Sequence, residues 1–159
     1  MPISPARLIP AALLVLLAGG GRPAGAADDE KDIRAVLDAQ VVAWNKGDLD
    51  GFMAGYWNDE KLTFISGGGI TFGWKGTKAR YEKRYKADGK EMGKLVFSEL
   101  HVETLGRDTA MLRGKFGLTF EKETDEKKRT ASGRFTLILR KKADGWKIVH
   151  DHTSADEKK

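Results

Sequence analysis

His150 and His152 lie two residues apart near the end of a 159-residue chain whose remaining histidine is His101. Residues two apart on a strand project from one face, the arrangement by which a strand offers two imidazoles to a metal. A catalytic zinc needs a third protein ligand, and Asp151 points to the opposite face. Two polar side chains bonded to their neighbours is therefore the weightier reading, and no metal is expected. The same imidazoles titrate near neutrality, so a His150 or His152 general base stays open. Arg134 interrupts a stretch that is otherwise apolar or neutral from Thr130 to Leu139. Facing a cavity, its guanidinium would favour an anionic ligand; facing water, it would be a solvated strand arginine.

Other chemistries are excluded by composition. With no cysteine there is no disulfide scaffold, no thiolate catalyst and no lipid-modified N-terminal cysteine. Gly67-Gly68-Gly69 joins two expected strands rather than opening a helix, so it is not a phosphate loop. The basic stretches Lys78 to Lys86 and Lys122 to Arg129 are interleaved with acids and fit exposed surfaces better than a nucleic-acid groove.

The length allows one domain, and 40% hydrophobic residues beside 32% charged ones describe a folded, soluble chain. Its first 26 residues read as a secretory signal: a basic residue at Arg7, an apolar run from Leu8 to Ala18, then Ala24-Gly25-Ala26 as the cleavage motif. The run is about 11 residues, short of the roughly 20 that a spanning helix needs, so no stable membrane insertion is expected. Cleavage after Ala26 removes Arg7 and Arg22 and leaves 26 basic against 23 acidic residues, +3 over residues 27–159. That charge is too mild for a phosphate-tracking surface, and no nucleic-acid partner is expected. The mature protein is expected to be periplasmic or secreted.

The elements that position these residues follow from periodicity. Ile33, Val36, Leu37, Gln40, Val41 and Trp44 form one helical stripe, ended by Gly47. Asp48 reads as the N-cap of a second helix carrying Leu49, Phe52, Met53 and Tyr56. Strands are expected over Leu62 to Ser66 and Ile70 to Trp74, then a helix from Gly76-Thr77 with Tyr81 and Tyr85 four apart. Four long strands follow, Leu95 to Leu105, Thr109 to Lys122, Arg129 to Lys142 and Trp146 to Ser154, joined by short hairpin connections. Helices grouped first and strands last make the class α+β, in the order α-α-β-β-α-β-β-β-β, with an antiparallel sheet packed on three helices and a frayed charged tail after Ser154. Phe135, Leu137 and Leu139 share one face of the third long strand, while Thr136 and Ile138 leave the other only partly polar. Such a second face predicts a homodimer.

Trp44-Asn45-Lys46-Gly47-Asp48, Tyr56-Trp57-Asn58-Asp59 and the closing Gly145-Trp146-Lys147-Ile148-Val149-His150-Asp151-His152-Thr153-Ser154 together resemble the nuclear transport factor two-like superfamily. This is the cone-shaped, cystatin-like fold of ketosteroid isomerases, scytalone dehydratases and SnoaL-like polyketide cyclases. The closing segment is similar to the calcium/calmodulin-dependent kinase II association-domain-like branch. The resemblance implies a fold and a pocket with no reaction attached. In ketosteroid isomerases the catalytic base is an aspartate that would fall here at Ile65 or Ser66, and neither abstracts a proton, so that chemistry is unsupported. Scytalone dehydratases use histidine, which keeps a His150 or His152 base in play. The family's cavity-lining elements carry Tyr56, Trp57, Phe64, Trp74, Tyr81 and Tyr85, of which ordinary core packing accounts for at least half.

Together these readings predict an exported, homodimeric domain binding a small organic molecule, an anionic one where Arg134 faces the cavity, with no catalytic residue and no cofactor assigned. A hydrolase, dehydratase or cyclase using His150 or His152 is one alternative, and a purely structural dimerisation module is another. The closing hairpin decides the site. A three-residue Ala143-Asp144-Gly145 loop sets Lys142 opposite Trp146, Thr136 opposite His152 and Arg134 opposite Ser154, so that Arg134, His150 and His152 share one cavity wall. A two-residue Asp144-Gly145 loop turns Arg134 away. The three-residue loop is expected, because Gly145 suits its left-handed position.

Overall fold

A computed structural model describes residues 25–89, 91–121 and 129–156. Most of the expected leader, most of the Lys122 to Arg129 stretch and the last three residues of the tail lie outside the described residues. Three helices, α1 (Ala26–Asn45), α2 (Leu49–Met53) and α3 (Trp74–Tyr85), pack on six strands: β1 (Thr63–Ser66), β2 (Gly69–Phe72), β3 (Lys94–Thr104), β4 (Thr109–Phe120), β5 (Arg129–Lys142) and β6 (Gly145–Ala155). The strands form one curved sheet in the order β2-β1-β6-β5-β4-β3. The expected α+β order holds. The sheet departs from the expected antiparallel pattern at one pair, since β1 runs parallel to β6; the chain passes through α3 and the three following strands before β6 returns beside β1.

The Trp-Asn-Lys-Gly-Asp segment ties α1 to its neighbours. The Trp44 indole donates to the Met92 and Gly93 carbonyls, each at 3.1 Å. The Asn45 amide acts as a strand edge, accepting from the Leu95 amide at 2.7 Å and donating to the Leu95 carbonyl at 3.1 Å. Gly47 adopts φ +76°, a left-handed conformation that glycine takes without a Cβ penalty. Asp48 then caps α2 by accepting from the Gly51 amide at 2.8 Å. At the other end of α1, Asp29 accepts from Lys141 Nζ at 2.8 Å and Trp146 Nε1 at 3.3 Å, anchoring the helix start to the β5–β6 hairpin.

The core lies between the helices and the concave face of the sheet. Ile33 and Leu37 of α1 are buried with Met53 of α2 against Leu112, Leu139 and Ile148 of the sheet. Two irregularities bend the long strands. One falls between Ser98 and His101 on β3, where Glu99 takes φ +51°; the other falls on β6 at Val149. Bulges of this kind raise local twist and re-aim the side chains beyond them.

The β6 bulge decides which residues face inward. At the hairpin tip Lys142 pairs with Gly145 and Leu139 with Ile148, so the loop is Ala143-Asp144, one residue shorter than expected. Beyond the tip Ile138 pairs with His150 and leaves Val149 without a cross-strand partner. Thr136 then opposes His152 and Arg134 opposes Ser154, as the longer loop would have placed them.

Candidate functional site

A cavity of about 180 Å³ opens between α3, the end of α2 and the concave face of the sheet. Its walls are mainly aromatic. Trp44, Phe52 and Tyr85 close one side, and beside them Phe64 and Tyr81 meet at a tilt of 53° with ring centroids 5.4 Å apart. The opposite wall is made by a cross-strand device on β4 and β5. Gly114 pairs with Phe135 and Phe116 pairs with Gly133, so each ring lies over the glycine opposite. A Cβ on Gly114 would meet Phe135 Cζ at 2.7 Å, and one on Gly133 would meet Phe116 Cε1 at 2.6 Å. The two glycines are thus the space that lets both rings lie flat along the wall.

Among the described residues one carboxyl lines the cavity. Asp151 is 3% exposed and accepts from the Tyr56 hydroxyl and the Thr153 hydroxyl, both at 2.7 Å. The Tyr56 and Tyr81 hydroxyls share a further hydrogen bond of 3.2 Å. Burial raises the Asp151 carboxyl to about 6 against the pull of the two hydroxyls and of His152. Burial, followed by the charge of Asp151, raises Tyr56 and Tyr81 well above the usual phenol range. Both phenols are therefore donors throughout the ordinary pH range, while Asp151 exchanges a proton near pH 6. The arrangement can accept a hydrogen bond or a proton from a group lodged in the cavity, or return one.

Tyr56, Phe64 and Tyr81 line the cavity as expected. Trp57 and Trp74 do not. The Trp57 ring lies under the Lys142 ammonium, 3.8 Å from its centroid, and the Trp74 indole donates to the Met53 carbonyl at 3.0 Å, so both brace the shell. Arg134, His150 and His152 share a face, yet it is the outer one. Arg134 pairs with Asp156 at 3.2 Å with its side chain 66% exposed, and His150 shares a 2.6 Å hydrogen bond with Thr63. The expected cavity wall is thereby corrected, because Phe135 and Leu137 face the cavity and their neighbours Arg134 and Thr136 must face away. Burial and the charge of His152 lower His150 below its ordinary value. Among the described residues no three His, Asp or Glu side chains gather, and no helix is long and apolar enough to cross a membrane.

Thr153 and the Gly–Phe pairs carry no expectation from the sequence. Asp151 does lie opposite the histidines, as the strand spacing predicts, but the cavity is on its side. The pairs carry a legible signal, Gly-x-Phe at Gly114 and again at Gly133, which puts each phenylalanine opposite a glycine when the strands run antiparallel.

The sequence model of the SnoaL-like domain matches residues 33–156. A solved structure of an NTF-2-like protein of unknown function from Shewanella oneidensis MR-1 is 39% identical, with a TM-score of 0.70 over 79% of this chain and 98% of that one. A calcium/calmodulin-dependent protein kinase II association-domain protein from Xanthomonas campestris shares the fold at 19% identity, TM-score 0.65, over 81% of this chain and 89% of that one. So does a cystatin-like protein of unknown function from Nostoc punctiforme, at 14% identity, TM-score 0.65, over 82% of this chain and 92% of that one. No curated protein matches.

Proposed function

Because the chain belongs to the SnoaL-like domain family, we infer that it is a small-molecule-binding domain whose ligand occupies the aromatic cavity. One observation carries this reading: a void of about 180 Å³ is walled by rings and holds one bonded carboxyl, Asp151. Protein interiors pack to crystal-like density and seldom leave a void much larger than a water, whereas an apolar pocket with few placed polar groups suits a small organic molecule. The ligand is flat and largely apolar, with a hydrogen-bond donor reaching the Asp151–Tyr56–Tyr81 cluster.

Thermal unfolding against a panel of flat aromatic and alicyclic compounds tests this, since a ligand that binds the native state alone raises its midpoint. Ala155 stands exposed at the cavity lip, and Ala155→Trp should abolish the shift by blocking entry. A shift that survives Ala155→Trp would place the ligand elsewhere. No shift with any compound would favour a purely structural assembly module.

A second reading follows from Asp151, whose carboxyl changes protonation near pH 6 inside an apolar cavity. A group so tuned serves as a general acid or base, and the candidate base moves from His150 and His152 to Asp151. Asp151→Asn should then stop turnover while leaving binding in place.

Two further parts of the proposal concern location and assembly. The leader-like segment supports export, and cleavage after Ala26 would leave Asp28 and Asp29 in the first turn of α1; N-terminal sequencing should begin near Ala27. The outer sheet face supports a homodimer. Phe72, Thr63, His150, Ile138 and Met111 form one cross-strand row, with Ile70, Ile65, His152 and Thr136 beside it. Phe72 is 67% exposed and Ile70 57%, and a second copy would cover both in a symmetric face-to-face contact.

A further inference from the structure

Arg80 and Arg84 lie four apart on α3, one turn above each other on the stripe that borders the cavity. Each guanidinium is laid against a cavity ring: Arg80 Cζ is 5.3 Å from the Phe64 centroid, and Arg84 Cζ is 5.4 Å from that of Tyr85. Arg80 is fixed further by donating to the Ser66 carbonyl at 2.6 Å and the Thr71 hydroxyl at 3.3 Å. Those acceptors are neutral. No carboxylate among the described residues pairs with either arginine, although Lys78 on the same helix is paired with Asp50 at 2.6 Å. The charge of Arg84 is felt inside, where it lowers Tyr81 against the opposing push of Asp151. The cavity thus runs from a carboxyl at Asp151 to two guanidinium groups that have no acidic partner among the described residues.

We propose that Arg80 and Arg84 form an anion subsite, and that the ligand is an apolar-bodied organic acid whose carboxylate stays at these arginines while its body enters the cavity. This rests on the pocket reading above and adds the class and orientation of the ligand. Two guanidinium groups held on aromatic faces suit a planar carboxylate, because their forked donors match its two oxygens. The polarity fixes the direction of entry, since an acid inserted head first would face the Asp151 carboxylate. A ligand hydroxyl or amine at the end away from the acid would meet Asp151 instead.

Benzoate, 2-naphthoate and biphenyl-4-carboxylate, each compared with its primary amide by isothermal titration at pH 8 and low salt, test the subsite. At least one acid should bind tenfold or more tightly than its amide. Arg84 is exposed and makes no hydrogen bond or ion pair within the described residues, so Arg84→Gln should fold normally, reduce that advantage to threefold or less, and change the amide affinity by under twofold. Arg84→Glu should reverse the preference. Raising the salt to 0.5 M should shrink the advantage in the unmodified protein, as expected for charges at an open mouth. An acid that binds no better than its amide, or an advantage untouched by both substitutions, overturns the anion subsite and leaves the pocket standing. Absence of binding by all six compounds removes the pocket reading and the subsite together.

Discussion

The Tyr56 hydroxyl donates to Asp151 Oδ2 at 2.7 Å, joining the turn after α2 to the inner face of β6 across the cavity floor. Removing this donor with Tyr56→Phe leaves a buried carboxylate with one hydroxyl instead of two. The Asp151 carboxyl should then rise above its value of about 6. Stability at pH 8 should fall by about 1–3 kcal/mol, with a smaller loss near pH 4, where the carboxyl is protonated. Denaturant unfolding at the two pH values measures the difference.

Asp151 also sets a pH slope of unusual sign for an aspartate. Its folded value of about 6 lies above the ordinary 3.8, so between these limits the folded protein binds more protons than the unfolded chain. Its contribution favours folding fully below about pH 4 and is lost as pH rises through 6, a change on the order of 3 kcal/mol. Asp151→Asn lacks that slope. The stability of D151N relative to the unmodified protein should therefore improve steadily from pH 4 to pH 7, and a flat difference would show that Asp151 titrates normally.

His150 and His152 face away from the cavity. His150→Ala and His152→Ala should therefore leave ligand affinity within twofold of the unmodified protein. Any compound that raises the unfolding midpoint serves as the probe, and loss of its binding in either variant would restore the histidines to the site.

Gly133 is the tightest point of the wall. A Cβ there would collide with the Ser154 carbonyl and come within 2.9 Å of Ala155 Cα, both backbone atoms, as well as with the Phe116 ring. Gly133→Ala should cost about 3 kcal/mol or more, at the upper end of overpacking effects, because neither backbone atom can rotate aside. Gly117, where a Cβ meets nothing within 4 Å, supplies the control, and Gly117→Ala should change stability little.

Phe72 tests the assembly. Phe72→Glu adds charge at an exposed position, so the monomer should keep its unfolding midpoint within a few degrees. Sedimentation velocity at micromolar concentration should show a dimer for the unmodified protein and a monomer for the variant. A dimer that persists would place the interface elsewhere.

The helical stripe from Ile33 to Trp44 and the strand alternation around Leu137 were legible because periodicity reports burial directly. The role of Trp44-Asn45-Lys46-Gly47-Asp48 was legible as punctuation, but not its bonds to Met92, Gly93 and Leu95, which depend on tertiary approach. The inward face of β6 beyond Ile148 is hidden for a different reason. Trp146 and Ile148 are buried, so simple alternation continues inward to His150 and His152. The extra residue at Val149 resets the count, and valine carries no local mark of a bulge as glycine often does. Arg80 and Arg84 looked like two more charges on a solvated helix, since nothing in their spacing reveals which cavity that helix borders.

The same ten residues at the end of the chain hold two latent linings. Paired straight from the hairpin tip, β6 would turn His150 and His152 inward and Asp151 outward, giving a basic, imidazole-lined chamber. With Val149 left over, the strand keeps Trp146 and Ile148 in the core and presents Asp151 and Thr153 instead. The chamber's acidity is therefore written in backbone phase rather than in residue type. In this chain one unpaired residue selects which side chains face the chamber, while Trp146 and Ile148 before it keep their places in the core.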